Sequence, residues 1–230
     1  MCGRFVLTTT TEQLQQTFGV SDISDMGPRY NIAPTQDVLV IRQNAGGERY
    51  ANMLRWGLVP HWAKDASVGN KMINARSETV HEKPSFRNSI RYHRCLIPAS
   101  GFVEWQPQNG NKQPWYIHRK DGAPFAFAGI WDRWKGPEGS IETCSILTTS
   151  ANAEVAKIHD RMPVILSSSE FDQWLDREKT DPTGLATLYA PFPADLLQAI
   201  PISVKINNPR HDGPDCLEPL NTDNYNRALL

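Results

Sequence analysis

The sequence predicts an α+β fold, a single domain built on a mostly antiparallel, curled or barrel-like β-sheet with a few short helices. Three observations carry this expectation. Strand-like segments follow one another through the middle of the chain, separated by Asn-Gly and Asp-Gly turns. Helical patterns are few and short. No internal repeat and no Gly/Ser/Pro linker divides the 230 residues. The chain is therefore read as one domain over 1–230, with a motif-bearing core to about 205 and a C-terminal tail over about 206–230.

The elements follow in order. "TTTTEQLQQTFGV" reads as a short helix, with Thr9 and Glu12 as a capping box, Leu14 and Phe18 on one face and Gly19 at the exit. "QDVLVIRQ" and "YANMLRWGLV" read as strands joined through "NAGGER" as a hairpin. "RCLIPASGFVEWQ", "PWYIHRK", "APFAFAGIWDRW" and "IETCSILTT" continue as strands, with turns at "NGN", at "DG" and at a Gly/Pro loop. "SANAEVAKIH" reads as helical and "MPVIL" as extended. "SSSEFDQWLD" is helical, with Ser167 and Glu170 as a second capping box. "PADLLQAI" reads as a last helix and "PISVKIN" as a last strand.

Composition narrows the function classes. Formal net charge is −1 and 40% of residues are hydrophobic, which is ordinary globular usage. No apolar run is long enough for a membrane span and no secretory h-region opens the chain, so a cytoplasmic location is expected. Cys2, Cys95, Cys144 and Cys216 are widely spaced, with no CxxC pair, and no HExxH occurs, so no metal site is expected. Cys95 and Cys144 lie in apolar strand-like runs and read as core filler. No phosphate-binding GxxxxGK[ST], dinucleotide GxGxxG or hydrolase GxSxG stands in the right context, so no cofactor is expected. Charge is uneven, however. Over 71–94, six cations (Lys71, Arg76, Lys83, Arg87, Arg91 and Arg94) stand against Glu78 and Glu82. That stretch is either a solvated face or a phosphate-facing surface.

The candidate chemistry begins at "MCGRF". With Met1 removed, Cys2 offers a free α-amine and a thiol two carbons apart. The amine, with a pKa of roughly 7.7–8.0, is partly unprotonated near neutrality. It can attack an aldehyde to give a Schiff base, onto which the thiol closes as a five-membered thiazolidine. The same residue also suits acyl transfer. Glu104, in "SGFVEWQ", either faces solvent or shares an enclosed face with Phe102, where burial raises a carboxyl pKa toward neutrality. His159, in "AKIHDRMPV", is either a helix-end or core histidine or a proton-transfer group, and adjacency alone makes no dyad with Asp160. Asn74 offers an amide to a developing oxyanion or a hydroxyl. Arg4 and Arg76 suit phosphate or surface ion pairs. Trp62, in "WGLVPHW", suits the core or an exposed base.

Together "MCGRF", "RYNIAP", "WGLVPHW", "INARSET", "CLIPASGFVEW" and "IHDRMPV", in this order, resemble the SOS response-associated peptidase (SRAP) family of abasic-site sensors. The resemblance implies that Cys2, exposed by loss of Met1, traps the ring-opened aldehyde of an abasic site in single-stranded DNA. Asn74, Glu104 and His159 would complete the catalytic pocket. Arg4, Arg76 and Arg161 would hold phosphates, and the "NIAP" and "PHW" loops, with Asn31, Pro34 and Trp62, would meet the strand. Self-removal of Met1 and β-elimination at the abasic site are further implied activities. The expected partner is single-stranded DNA bearing abasic sites, bound by a monomer that associates with the nucleoid through that DNA. Two alternatives compete: an N-terminal-cysteine glutamine amidotransferase, and a non-covalent single-stranded-DNA-binding module in which Cys2 is inert.

Overall fold

A computed structural model of the chain describes residues 2–108, 110–137 and 139–220. Among the described residues thirteen strands and three short α-helices are formed, connected by turns, several of them 3₁₀. The strands are β1 (Phe5–Leu7), β2 (Arg29–Ile32), β3 (Asp37–Gln43), β4 (Arg49–Trp56), β5 (Asn74–Arg76), β6 (Arg94–Ala99), β7 (Gly101–Gln108), β8 (Asn111–Arg119), β9 (Phe125–Gly136), β10 (Gly139–Ser150), β11 (Arg161–Pro163), β12 (Ile165–Leu166) and β13 (Leu197–Pro201). The helices are α1 (Thr11–Phe18), α2 (Ser89–Tyr92) and α3 (Phe171–Leu175).

The expected barrel-like sheet is present. Strand β10 pairs antiparallel with β9, and β9 with β6, β6 with β3 and β3 with β4. Strand β4 returns to β10 in parallel, through Thr143↔Arg55 and Cys144↔Trp56, so five strands close a barrel. Strands β5 and β11 extend the far end of β10, and β12 adds to β9. A second sheet runs in the order β13-β8-β7-β1-β2. The two sheets meet through edge-on rings. Phe5 lies 5.3 Å from Trp56 and 5.6 Å from Phe127, and Phe102 lies 6.3 Å from Phe127, centroid to centroid. Such rings bury large apolar area and fix relative orientation. This contact sets where the start of β1, and hence Cys2, sits. Cys95 and Cys144 are fully buried core residues, and burial pushes the Cys95 thiol up to about 12. Among the described residues no helix is long and apolar enough to cross a membrane.

Local signals explain most elements and several differences. The β3–β4, β7–β8 and β9–β10 hairpins all form. Helix α1 is capped one residue later than expected, by Thr10 and Gln13, because Thr9 Oγ1 is engaged with Ser100 Oγ at 2.9 Å. The Ser167–Glu170 box forms as expected. "SANAEVAKIH" gives only a 3₁₀ turn, Val155–Lys157. Here Asn152 Oδ1 takes the N–H groups of Glu154 and Val155 and holds an Asx turn instead of a helix. "PADLLQAI" is not a helix but a 3₁₀ turn, Ala194–Leu196, leading into β13, which satisfies the open edge of β8. The expected last strand, "PISVKIN", is mostly a 3₁₀ turn, Val204–Asn207. Residues from the expected tail also pack. Ile206 and Cys216 are fully buried with Val103 and Ile202 on the outer face of β7. Residues 221–230 lie outside the described residues.

Candidate functional site

Cys2 precedes β1, which pairs antiparallel with β7 through Phe5↔Phe102 and Val6↔Gly101. The pairing continues past the strand, since Val103 N–H donates to Arg4 O at 3.0 Å. This register brings Cys2 alongside the Glu104–Trp105 segment. In the form that retains Met1, Cys2 is fully buried. Burial, reinforced by the nearby Glu104 charge, raises its thiol pKa well above the ordinary value. The thiol is therefore protonated at neutral pH in this form.

Alternation along β7 settles the choice left open for Glu104. It lies on the enclosed face with Phe102 and is only 2% exposed, while Val103 and Trp105 face the second apolar cluster. Burial raises its carboxyl pKa, and His159 partly offsets that by favouring the charged form. His159 is held beside it by two backbone anchors. Gln106 Nε2, on β7, donates to Lys157 O at 2.8 Å, and the Arg161 N–H donates to His159 Nδ1 at 2.9 Å. An Asp160 carboxylate oxygen also stands 2.9 Å from Nδ1. One ring nitrogen cannot accept from an amide and donate to a carboxylate at once. The amide is fixed by the backbone whereas the Asp160 side chain is largely exposed, so the Nε2–H tautomer is the better assignment. Glu104, Trp105, Lys112, His159 and Asn207 line an open cleft of about 510 Å³.

The remaining residues expected at the site fall into distinct settings. Asn74 stands on β5 beside β10, at Ile146↔Asn74. Its Nδ2 donates to Ile73 O at 3.0 Å, while its buried Oδ1 accepts no hydrogen bond among the described residues. Arg4 Nη1 donates to Asn31 Oδ1 at 3.1 Å, and its guanidinium lies 5.8 Å from the Trp105 ring centre. Among the described residues no carboxylate pairs with Arg4, and burial lowers its pKa. Asn31, expected to meet the strand, is fully buried, and its Nδ2 donates to Ile206 O, Asn208 O and His211 O. It therefore reaches a ligand only through Arg4. Arg76 is exposed with no carboxylate bonded to it among the described residues. Arg161 is already engaged, in a bidentate ion pair with Glu78 and a bond from Nη2 to Thr148 O at 2.7 Å. Arg94, in the basic stretch, is buried and spent on the carbonyls of Trp174, Ile90, Arg91 and Asp176.

Pro34 is half-buried and Trp62 is 55% exposed. The Pro34 loop is tied to the end of β4 by two bonds, from the Thr35 N–H to Trp56 O at 2.8 Å and from the Trp56 N–H to Gln36 O at 2.9 Å, with Thr35 at φ +74°. Sequence reasoning missed Lys112 and Asn207 in the cleft, the Asp160 contact with His159 and the Glu78 clamp on Arg161. Lys112 and Asn207 depend on pairings across the chain, whereas the Asp160 contact joins adjacent residues and depends on side-chain conformations that adjacency does not fix. Glu78 had a signal, as an acid set within a run of cations.

Residues 1–209 match the family described as SOS response associated peptidase (SRAP). The abasic site processing protein YoqW of Bacillus subtilis (strain 168) is 43% identical over 223 residues, which cover 95% of this chain and 99% of YoqW. The abasic site processing protein HMCES of Gallus gallus is 33% identical over 225 residues, covering 84% of this chain and 66% of HMCES. A crystal structure of a protein from Bacteroides thetaiotaomicron superposes with a TM-score of 0.85 at 28% identity, covering 96% of this chain and all of that one.

Proposed function

The chain belongs to the SOS response-associated peptidase family, and we propose that it processes abasic sites in single-stranded DNA by trapping them covalently through Cys2 once Met1 is removed. The observation that carries this reading is the placement of a buried, protonatable Glu104 and an oriented His159 beside the segment that begins with Cys2.

The chemistry follows from that arrangement. An abasic deoxyribose is a hemiacetal in equilibrium with its open aldehyde. Neutral Glu104 can donate a proton to the ring oxygen as the C1–O bond breaks, while the hydroxyl proton leaves to a base. The Cys2 α-amine then adds to C1 and its surplus proton passes to the Glu104 carboxylate; Glu104 returns that proton to the departing hydroxyl, and loss of water gives the Schiff base. Sulfur attacks the C=N carbon, the S–H proton passes to nitrogen, and the thiazolidine ring closes. His159 Nε2–H is suited to hold the sugar or return a proton. The free acceptor Oδ1 of Asn74 suits the amine. β-Elimination competes when the Schiff base is not captured by sulfur, and Met1 leaves either by action of the site itself or by an aminopeptidase.

Arg4, to which no carboxylate is bonded among the described residues, and Arg76, exposed and bonded to none although the Glu78 charge acts on it, supply the phosphate contacts. The Arg4 guanidinium beside Trp105, which lines the cleft, favours a phosphate strand over free glutamine. The test is crosslinking to an oligonucleotide with one abasic site, read on a denaturing gel. Wild-type protein forms a stable adduct and Cys2→Ala forms none while still binding the strand. A stable adduct with Cys2→Ala removes the assignment, and ammonia release from glutamine would favour an amidotransferase.

A further inference from the structure

Trp62 is more than half exposed, yet the residues on both sides of it are tied down from one strand. Asp132 Oδ2 accepts the His61 N–H at 2.9 Å and stands 3.0 Å from His61 Nδ1. Trp134 Nε1 donates to Ala63 O at 2.7 Å. Asp132 and Trp134 are two residues apart on β9 and so share a face. Neither arrangement is incidental. Asp132 is 4% exposed, and its other oxygen accepts the Arg133 N–H at 2.8 Å, with His93 Nδ1 3.9 Å away. A buried carboxylate is costly unless its hydrogen bonds are met, and here two of them belong to the residue before Trp62. The Trp134 ring is seated against Gly136, where an added Cβ would stand 2.2 Å from it.

We infer that Asp132 and Trp134 are positioning residues for strand binding: they clamp the 61–63 loop so that the Trp62 indole is held outward as a stacking platform for an unpaired base. This rests on the single-strand reading above. An unclamped indole lowers its free energy by folding onto apolar protein surface, and must be ordered again before a base can stack on it. Clamping both neighbours removes that ordering cost from the binding step.

The test combines variants with two readouts. Binding is measured by fluorescence anisotropy of a labelled, unmodified single-stranded oligonucleotide. Reaction is measured as the maximal crosslinking rate at saturating abasic oligonucleotide. Trp62→Ala weakens binding about tenfold, the scale of one lost base–aromatic stack. Trp134→Phe, which keeps a ring but deletes the N–H, and Asp132→Asn, which keeps the shape, each weaken binding several-fold and leave the maximal rate unchanged. Trp134→Phe adds nothing in the Trp62→Ala background. Gly136→Ala, which displaces the Trp134 ring, reproduces the Trp134→Phe effect if Asp132→Asn fails to fold. Unchanged binding by Trp134→Phe, or the same loss with and without Trp62, overturns the inference. Wild-type protein that binds strands without crosslinking would refute only the covalent reading, and the anisotropy comparison still decides. Wild-type protein that binds no single strand refutes both.

Discussion

Arg161 and Glu78 form a bidentate ion pair, with Nη2 and Oε2 at 2.9 Å and Nη1 bonded to Oε1. A cation at the edge of the candidate cleft is thereby neutralised by a carboxylate that is itself half-exposed. A phosphate approaching Arg161 must compete with Glu78.

Glu78→Gln therefore tightens strand binding and raises its salt dependence. For single strands the slope of log K against log salt changes by about 0.7 per phosphate neutralised, so a gain of up to about 0.7 is expected. Titration of a labelled oligonucleotide across salt concentrations measures it, and an unchanged or shallower slope would show that Arg161 does not meet phosphate. The Arg161 bond holds the Glu78 carboxyl below its ordinary range. The pair's stabilisation is thus present above the unfolded pKa and lost as pH falls through the lower folded value. Any melting difference between wild type and Glu78→Gln should shrink in acid, and it should be small at any pH because the carboxylate is solvent-screened.

Asn31 predicts a second separation. Its amide joins β2 to the 206–211 segment through three carbonyls and tethers Arg4 through Oδ1. Asn31→Ala leaves those buried carbonyls short of a donor and costs about 2–4 kcal/mol in a urea titration. Arg4→Ala leaves them satisfied. It should weaken strand binding and reduce the salt slope with a much smaller loss of stability, and equal destabilisation by the two would place Arg4 in the scaffold.

Glu104 gives a pH signature. Its folded pKa is raised by burial, so the charged form is penalised in the fold. That penalty is absent below the unfolded carboxyl pKa of about 4.3 and grows as pH rises, until the folded pKa is passed. Glu104→Gln should therefore melt higher than wild type at pH 7, with the gap closing in acid. The same variant should slow crosslinking by roughly 10²–10⁴-fold, the scale of general acid–base catalysis, while binding an intact strand normally. Parallel losses in rate and affinity would argue against proton transfer.

Local chemistry made much of the molecule legible in the sequence. Alternation in "GFVEWQ", the β7–β8 hairpin pairing and the Ser167–Glu170 box all act over a few residues. Cys2, Glu104 and His159 were legible because their residue types suit a shared chemistry and because six ordered motifs resemble one family. Barrel closure was not, since the parallel return of β4 to β10 joins Cys144 to Trp56 across 88 residues with no local trace. The helix expected at "SANAEVAKIH" failed because the Asn152 side chain captures backbone donors before a helix can. Asn31 looked like a strand contact in "RYNIAP", and only the docking of residues 206–211 shows it buried. The brace formed by Asp132 and Trp134 was likewise hidden, because its targets lie some 70 residues earlier in the chain.

The most direct measurement is the intact mass of protein incubated with an abasic single-stranded oligonucleotide, comparing Met1-free protein, protein that retains Met1, and Cys2→Ala. Trapping by the Cys2 amine and thiol predicts a stable one-to-one adduct, short by one water, for the Met1-free form alone. An equally stable adduct on the Met1-bearing protein or on Cys2→Ala, or none on the Met1-free form, would contradict it.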